Sequence, residues 1–228
     1  MSNCSEKPTI IFDMDGTLLD LAYDDFIWND LLPIRYAELH NCSIEQSKAT
    51  LYAFYQEHNH TLNWYSSRFW TSKVEVDVLA MQIEHKNKVA FRPNCLELLD
   101  YLKNHGYPMW LATNADCAGL KFKLEHMGIA DYFDVIVSSE QIGHAKEFVE
   151  FWQGLNKLHP FNAKHVYFID DTEKVLNGAK NYGIQHLFSI KQPSSAKVPR
   201  VTCNYPMLDQ LTELIAHLNP AEVEQKYA

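Results

Sequence analysis

The residues best able to do chemistry fall in four short stretches: Asp13-Met14-Asp15-Gly16-Thr17, Thr113-Asn114, Gly143-His144-Ala145-Lys146-Glu147 and Asp170-Asp171. Asp13 and Asp15 stand two apart, so in extended chain their carboxylates face the same side, with α-carbons about 6–7 Å apart. Two such groups repel each other unless a cation or a shared proton intervenes. Gly16 lets the backbone turn sharply away. With Asp170 and Asp171 the set becomes hard and oxygen-rich. It suits Mg²⁺, which keeps waters and binds through a few carboxylates plus a substrate phosphate. No Cys or His clusters with these residues, which disfavours softer metals. Thr113 and Asn114 suit either the cap of a following helix or phosphate oxygens. Lys146 is the candidate cation. It opens an expected helix, Glu147–Leu155, whose N-terminus adds anion affinity. Lys121, Lys123, Lys164 and Lys174 read as solvated helix or loop lysines.

For stretches so far apart to act together, the fold must bring them to one edge. Each follows a short apolar run of strand type: Thr9–Phe12, Met109–Ala112, Val135–Val137 and Val166–Ile169, with a fifth run at His186–Ile190. Runs apolar on both faces suit a parallel sheet covered by helices on both sides. Helical segments lie between them. Asn94–His105 stops before Gly106, Leu120–Met127 before Gly128, and Thr172–Tyr182 begins at a plausible N-cap and stops before Gly183. The alternation predicts a doubly wound, Rossmann-like α/β core, in which ligands gather outside the carboxyl ends of the strands. One block breaks it. Residues 21–90 show helical spacing, clearest over Ile44–His58 and Leu62–Trp70, and hold 11 of the 29 aromatic residues. The expected division is a core of residues 1–20 and 91–228 with an inserted helical domain of residues 21–90.

Composition narrows the function further. Twenty Lys and Arg against 29 Asp and Glu give a formal charge of −9, the wrong sign for a nucleic-acid partner. A small anionic substrate remains compatible where a metal or a placed lysine offsets the local field. Five scattered cysteines without a CxxC pair favour a reducing compartment over a disulfide framework. No apolar run approaches the roughly 20 residues that span a bilayer, so no membrane partner is expected. The expected location is the cytoplasm.

The four motifs in this order resemble the haloacid dehalogenase (HAD) superfamily. The helical insertion directly after DMDGTLLD is similar to that superfamily's α-helical cap. The resemblance implies Asp13 as nucleophile forming an aspartyl-phosphate and Asp15 as general acid and base, with Thr113 and Lys146 holding phosphate. It implies Mg²⁺ held by the Asp13 carboxylate, the Asp15 carbonyl and Asp170/Asp171, with Asp171 the direct ligand and Asp170 supporting. Leu18–Trp28, His60–Tyr65, LEHMG and FIDDTEKVL resemble more narrowly the bacterial GMP/IMP 5′-nucleotidase branch. Ala145 departs from the Pro often found before the lysine there.

An aspartyl-phosphate route divides a difficult displacement into two steps. A second Asp speaks against carbon–halogen cleavage, because a halide leaves without a proton. Specificity then falls to the inserted helices. Tyr23, Trp28, Trp64, Tyr65 and Trp70 are candidates to stack on a base, with Asn63 or Asp20 as polar readers. The competing reading is that such aromatics are packing core. His58 and His60 read as loop or surface histidines with no third ligand. The leading expectation is an Mg²⁺-dependent 5′-nucleotidase for purine monophosphates, IMP and GMP first. The alternatives are a phosphatase or phosphomutase for phosphoglycolate or a sugar phosphate, and a non-catalytic interaction module of the same fold.

Overall fold

Ile10, Ile11 and Phe12 are fully buried and alternate between the two faces of the sheet, which fixes the centre of the molecule. The computed structural model describes residues 7–218. Strand β1 (Thr9–Phe12) pairs in parallel with β2 (Met109–Thr113) and β4 (Val166–Ile169). β3 (Val135–Ser138) extends one side; β5 (His186–Ile190) and β6 (Met207–Leu208) extend the other. The order is β3-β2-β1-β4-β5-β6, parallel throughout. The five expected strands are present. The sixth has two residues and no apolar run of its own, so it carries no periodic signal; parallel pairing with Ser189 and Ile190 places it.

Ile10, Phe12, Met109 and Leu111 face α7 (Cys95–Asn104) and α8 (Cys117–Met127) through Leu98, Leu99, Leu102 and Leu120. Ile11, Ala112 and Phe168 face α10 (Val149–Leu158) and α11 (Glu173–Tyr182) through Phe151, Trp152, Val175 and Leu176. The sheet is therefore covered on both sides, as a doubly wound α/β core requires. Gly128 and Gly183 close α8 and α11 in the left-handed conformation.

The helical block is a cap inserted after β1. α1 (Ala22–Asp25) runs through a π-helical turn (Phe26–Leu31) into α2 (Leu32–His40). α3 (Ile44–His58) begins at a Ser43–Gln46 capping box. The expected Leu62–Trp70 helix is broken. Ser66 takes extended dihedrals, ending α4 (Leu62–Tyr65) and capping α5 (Ser67–Val74), and α6 (Val78–Glu84) follows. The entering and leaving chains pair antiparallel at Leu19 and Phe91, through Asp20 N–H to the Ala90 carbonyl and Arg92 N–H to the Leu18 carbonyl, both 2.9 Å. Among the described residues no helix is long and apolar enough to cross a membrane, and Cys42, Cys95, Cys117 and Cys203 are free thiols.

Candidate active site

The three motif-bearing strand ends converge on Lys146. Its ammonium lies 2.5 Å from Asp13 Oδ1, 2.7 Å from Asp170 Oδ2 and 2.9 Å from the Ala112 carbonyl, with the residue only 1% exposed. Lys146 does not open a helix, however. It sits in a turn three residues before α10, and a short helix α9 (Ser139–Ile142) intervenes after β3. Side chains and backbone hold that turn instead of a helix terminus. Lys146 N–H donates to Asn114 Oδ1 (2.9 Å) and Trp152 Nε1–H donates to the Lys146 carbonyl (2.9 Å). Gly178 of α11 lies so close that a Cβ there would stand 2.5 Å from the Lys146 carbonyl oxygen.

One carboxylate oxygen from each of Asp13, Asp170 and Asp171 lies within 4.8 Å of the others. Asp171 is fixed from two sides. Arg200 donates to its carbonyl and sits 3.6 Å from its carboxylate, and Thr172 Oγ1–H donates to Oδ1 (3.2 Å). Thr172 therefore does not cap α11 through its side chain, contrary to expectation; its N–H goes to Asp170 Oδ1 instead (2.8 Å). Gly16 is required twice over. Its φ is +87°, and an added Cβ would lie 2.8 Å from Asp171 Cγ.

Asp13 and Asp15 do not share one point, as extended chain would have placed them. β1 ends at Phe12, the chain bends through Gly16, and the two carboxylates take different lysines. Asp15 Oδ1 accepts from Lys123 at 2.7 Å, and the same ammonium meets Asp24 of the cap at 3.0 and 3.1 Å. Lys123, expected to be solvated, is 3% exposed. The available signal was its helical face, three and four residues past Leu120 and Gly119, which turns toward the strand ends.

Carboxylates outnumber cations in this space. Burial raises the Asp13 pKa despite Lys146, with Asp15 adding to the rise, and raises Asp170 well above the ordinary value. Burial and then Asp13 carry Asp171 to about 7. Burial takes Asp24 to about 7 even against Lys123. Both lysines are held charged, because each faces two acids.

Thr113 Oγ1 accepts from Ala115 N–H (3.0 Å), leaving its own proton to donate. The Asn114 amide is engaged with Lys146 N–H and with Glu147, to which its Nδ2 donates at 3.0 Å. Asp116, rather than Thr113 or Asn114, caps α8 through Gly119 N–H (2.7 Å), and its other oxygen takes Ser67 N–H and Oγ–H at 2.5 Å. Glu147, given no role by the sequence reading, receives Tyr65 Oη–H (2.5 Å) and lies 3.4 Å from His60 Nδ1.

A cavity of about 340 Å³ joins this floor to a roof of cap aromatics: Trp28, Tyr55, Trp64, Tyr65 and Trp70. The rings meet edge to face, with Tyr55 5.3 Å from Trp70 and 5.4 Å from Trp64. Trp28, Trp64, Tyr65 and Trp70 are thus at the cavity, and Tyr55, which the reading missed, joins them. The other three candidates lie elsewhere. Tyr23 is packed in the core with its hydroxyl on the Gln82 carbonyl (2.7 Å). Asp20 accepts from Ala22 and Ser195 N–H (both 2.9 Å), so it braces a loop. Asn63 is exposed and lines a smaller neighbouring cavity. Neither His58 nor His60 is a free surface group: His58 packs 4.7 Å from Phe69, and His60 reaches Glu147.

A doubly wound sheet whose strand ends carry these carboxylates under a helical cap is the architecture of HAD-like hydrolases. Residues 10–188 match the family model for haloacid dehalogenase-like hydrolases, and the chain belongs to that family. It is 31% identical over 210 residues to GMP/IMP nucleotidase YrfG of Escherichia coli, covering 92% of this chain and 95% of that protein. It is also 31% identical over 106 residues to ribulose-1,5-bisphosphate 5-phosphatase of Halopiger xanaduensis, covering 46% and 44% of the two chains. The crystal structure of a HAD phosphatase from Thermococcus onnurineus shares the fold at 18% identity, with a TM-score of 0.77 over 92% of this chain and 97% of that one.

Proposed function

We propose that the chain hydrolyses purine nucleoside 5′-monophosphates, IMP and GMP first, with residues 21–90 acting as the specificity cap. One observation carries this reading. The carboxylate floor and the aromatic roof of Trp28, Trp64 and Tyr65 line a single cavity, so a phosphate and a base have places in one molecule. The likeness to the E. coli GMP/IMP nucleotidase over nearly the whole chain supports it.

Asp13 attacks phosphorus; the ester P–O bond breaks, and Asp15 protonates the leaving oxygen. The aspartyl-phosphate on Asp13 is then cleaved by water, Asp15 takes the water's proton, and inorganic phosphate and the Asp13 carboxylate are released. Lys146 and the Thr113 hydroxyl hold the phosphoryl oxygens, and Asn114 holds the Lys146 turn. The all-oxygen set of Asp13, Asp170 and Asp171, with its excess of negative charge and raised pKa values, fits Mg²⁺. Those carboxylates and the Asp15 carbonyl would hold it. When bound, Mg²⁺ supplies neutralisation of the charge that builds on the transferring group.

Phosphate release from IMP, GMP, AMP, UMP, phosphoglycolate and several sugar phosphates, with Mg²⁺ or EDTA, tests the reading. Preference for IMP and GMP, lost with EDTA, is the expected result. A non-nucleotide winner would leave the chemistry standing and remove the nucleotide assignment.

A further inference from the structure

Hydrolysis as described uses Asp15 but leaves Lys123 and Asp24 without a task. Yet the Lys123 side chain is 4% exposed and joins three elements: the loop after β1 through Asp15, core helix α8, and cap helix α1 through Asp24. It also stands 5.3 Å over the Tyr23 ring, whose hydroxyl is tied to the Gln82 carbonyl on α6. Burying an ammonium with two carboxylates is a poor route to stability, since desolvation offsets most of the attraction and apolar residues of similar volume serve as well. What the arrangement does supply is direction. Asp15 lines the cavity with Oδ1 on the ammonium. Oδ1 accepts from Lys123 whether or not the carboxyl is protonated, so Oδ2 is the oxygen left to carry the proton.

We propose that Lys123 is a positioning residue for proton delivery, presenting Oδ2 of Asp15 to the leaving oxygen, and that Asp24 ties this orientation to the placement of the cap. The proposal rests on the phosphomonoesterase reading and deepens it. Asp24 holds the same ammonium as Asp15, so displacement of α1 withdraws one of the two carboxylates that hold Lys123 in place.

The distinguishing readout is the leaving group. An alkyl alcohol, such as a ribose 5′-oxygen, needs a proton as the ester bond breaks; p-nitrophenolate does not. Both substrates are followed in single turnover with enzyme in excess, so that only transfer to Asp13 is read. The alkyl substrate is whichever monophosphate the wild type hydrolyses fastest. Lys123→Met should slow transfer from it by about 10²-fold, the usual scale of general-acid catalysis. Transfer from p-nitrophenyl phosphate should slow less than about threefold. Lys123→Arg should recover about tenfold of the alkyl rate, and Asp24→Asn should show the same substrate bias at smaller size. Equal losses on the two substrates, in variants whose circular dichroism matches the wild type, would overturn the proposal in favour of a purely structural ion pair. Should Lys123→Met not fold, the Arg and Asn variants carry the same comparison. Asp15→Asn separates the two levels of inference. If it shows no leaving-group bias, Asp15 is not the acid and the parent mechanism fails. If it shows the bias while the Lys123 and Asp24 variants do not, only the role of Lys123 is lost.

Discussion

The floor and the roof of the cavity are built on opposite terms. The floor gathers Asp13, Asp15, Asp170 and Asp171 around Lys146 and Lys123, and burial raises most of those carboxylates against the lysines that face them. Backbone holds most of it, through strand ends, the Gly16 turn and the Lys146 turn pressed against Gly178, with the Asn114 and Trp152 side chains bracing that last turn. The roof is held by its own side chains, with Trp28, Tyr55, Trp64 and Trp70 edge to face and the Tyr55 hydroxyl on the Trp28 carbonyl at 3.0 Å. The floor is costly to the fold, and the proposed chemistry falls to it. The roof stabilises the fold, and only its surface is free to select.

The sharpest break in this comparison is Asp13→Asn. Removing the proposed nucleophile should lower turnover by at least about 10⁴-fold. Thermal stability without a cation should hold or rise, because Asp13 is raised by burial and its neutral amide relieves an acidic cluster. Activity and melting temperature measured on the same preparation check both signs. A protein that unfolds instead would mean the floor supports the fold after all.

Two tryptophans divide the roof. Trp70 is buried, with Nε1–H donating to the Trp64 carbonyl at 2.8 Å, and Trp70→Ala should cost about 3–5 kcal/mol of stability. Trp64 is partly open to the cavity. Trp64→Ala should reduce kcat/KM for nucleotides by the worth of one base stack, about 1–3 kcal/mol, with little change on p-nitrophenyl phosphate. Equal losses on both substrates would make Trp64 packing core like Trp70.

Gly16→Ala tests whether backbone holds the floor. The positive φ together with overlap on Asp171 should cost about 1–3 kcal/mol of stability. Asp171 must also shift to admit the methyl group, so Mg²⁺ affinity should fall with stability. Gly128→Ala is the control. Gly128 shares the positive φ, but nothing lies within 4 Å of an added Cβ, so stability should drop with no change in affinity.

The sequence revealed the floor far better than its supports, for reasons of range. Five strands announce themselves as local apolar runs, and DMDGT or IDD follows its strand directly. Lys123 meets Asp15 from 108 residues away and Asp24 from 99, and Tyr65 meets Glu147 from 82. No window of helical periodicity contains such pairs, so a lysine on α8 looks like any solvated lysine until the sheet is assembled. The roof was half legible. Aromatic spacing marks a packed cap, yet whether a ring faces the cavity, as Trp28 does, or the core, as Tyr23 does, depends on the turn of one helix about its axis. Asp20 and Asn63 were misplaced for a different reason. Each is a polar residue near a motif whose hydrogen bonds or exposure serve a loop, and composition does not separate that from recognition.

The smallest expected effect concerns the charge surplus itself. Asp24 and Asp171 are both raised from 3.8 to about 7 by burial, with neighbouring acids adding to the rise and Lys123 or Arg200 opposing it. Folding therefore favours their protonated forms. The stabilisation they give is full below about pH 4 and fades as pH rises through about 7. Protein held in EDTA should accordingly melt at a lower temperature at pH 8 than at pH 6. At the proposed site Mg²⁺ would have to displace the Asp171 proton below that range, so its affinity should fall on acidification, by at most about tenfold per pH unit for each proton displaced. The increment in melting temperature from a fixed Mg²⁺ concentration should therefore be larger at pH 8 than at pH 6. Asp24 lies on the cap and is held by Lys123, away from the Asp13, Asp170 and Asp171 cluster. Asp24→Asn should thus lessen the slope of the EDTA profile, with Asp171 supplying the remainder, while leaving the Mg²⁺ increment in place. If it abolished both, floor and roof would be a single electrostatic unit, and the contrast between them would not survive.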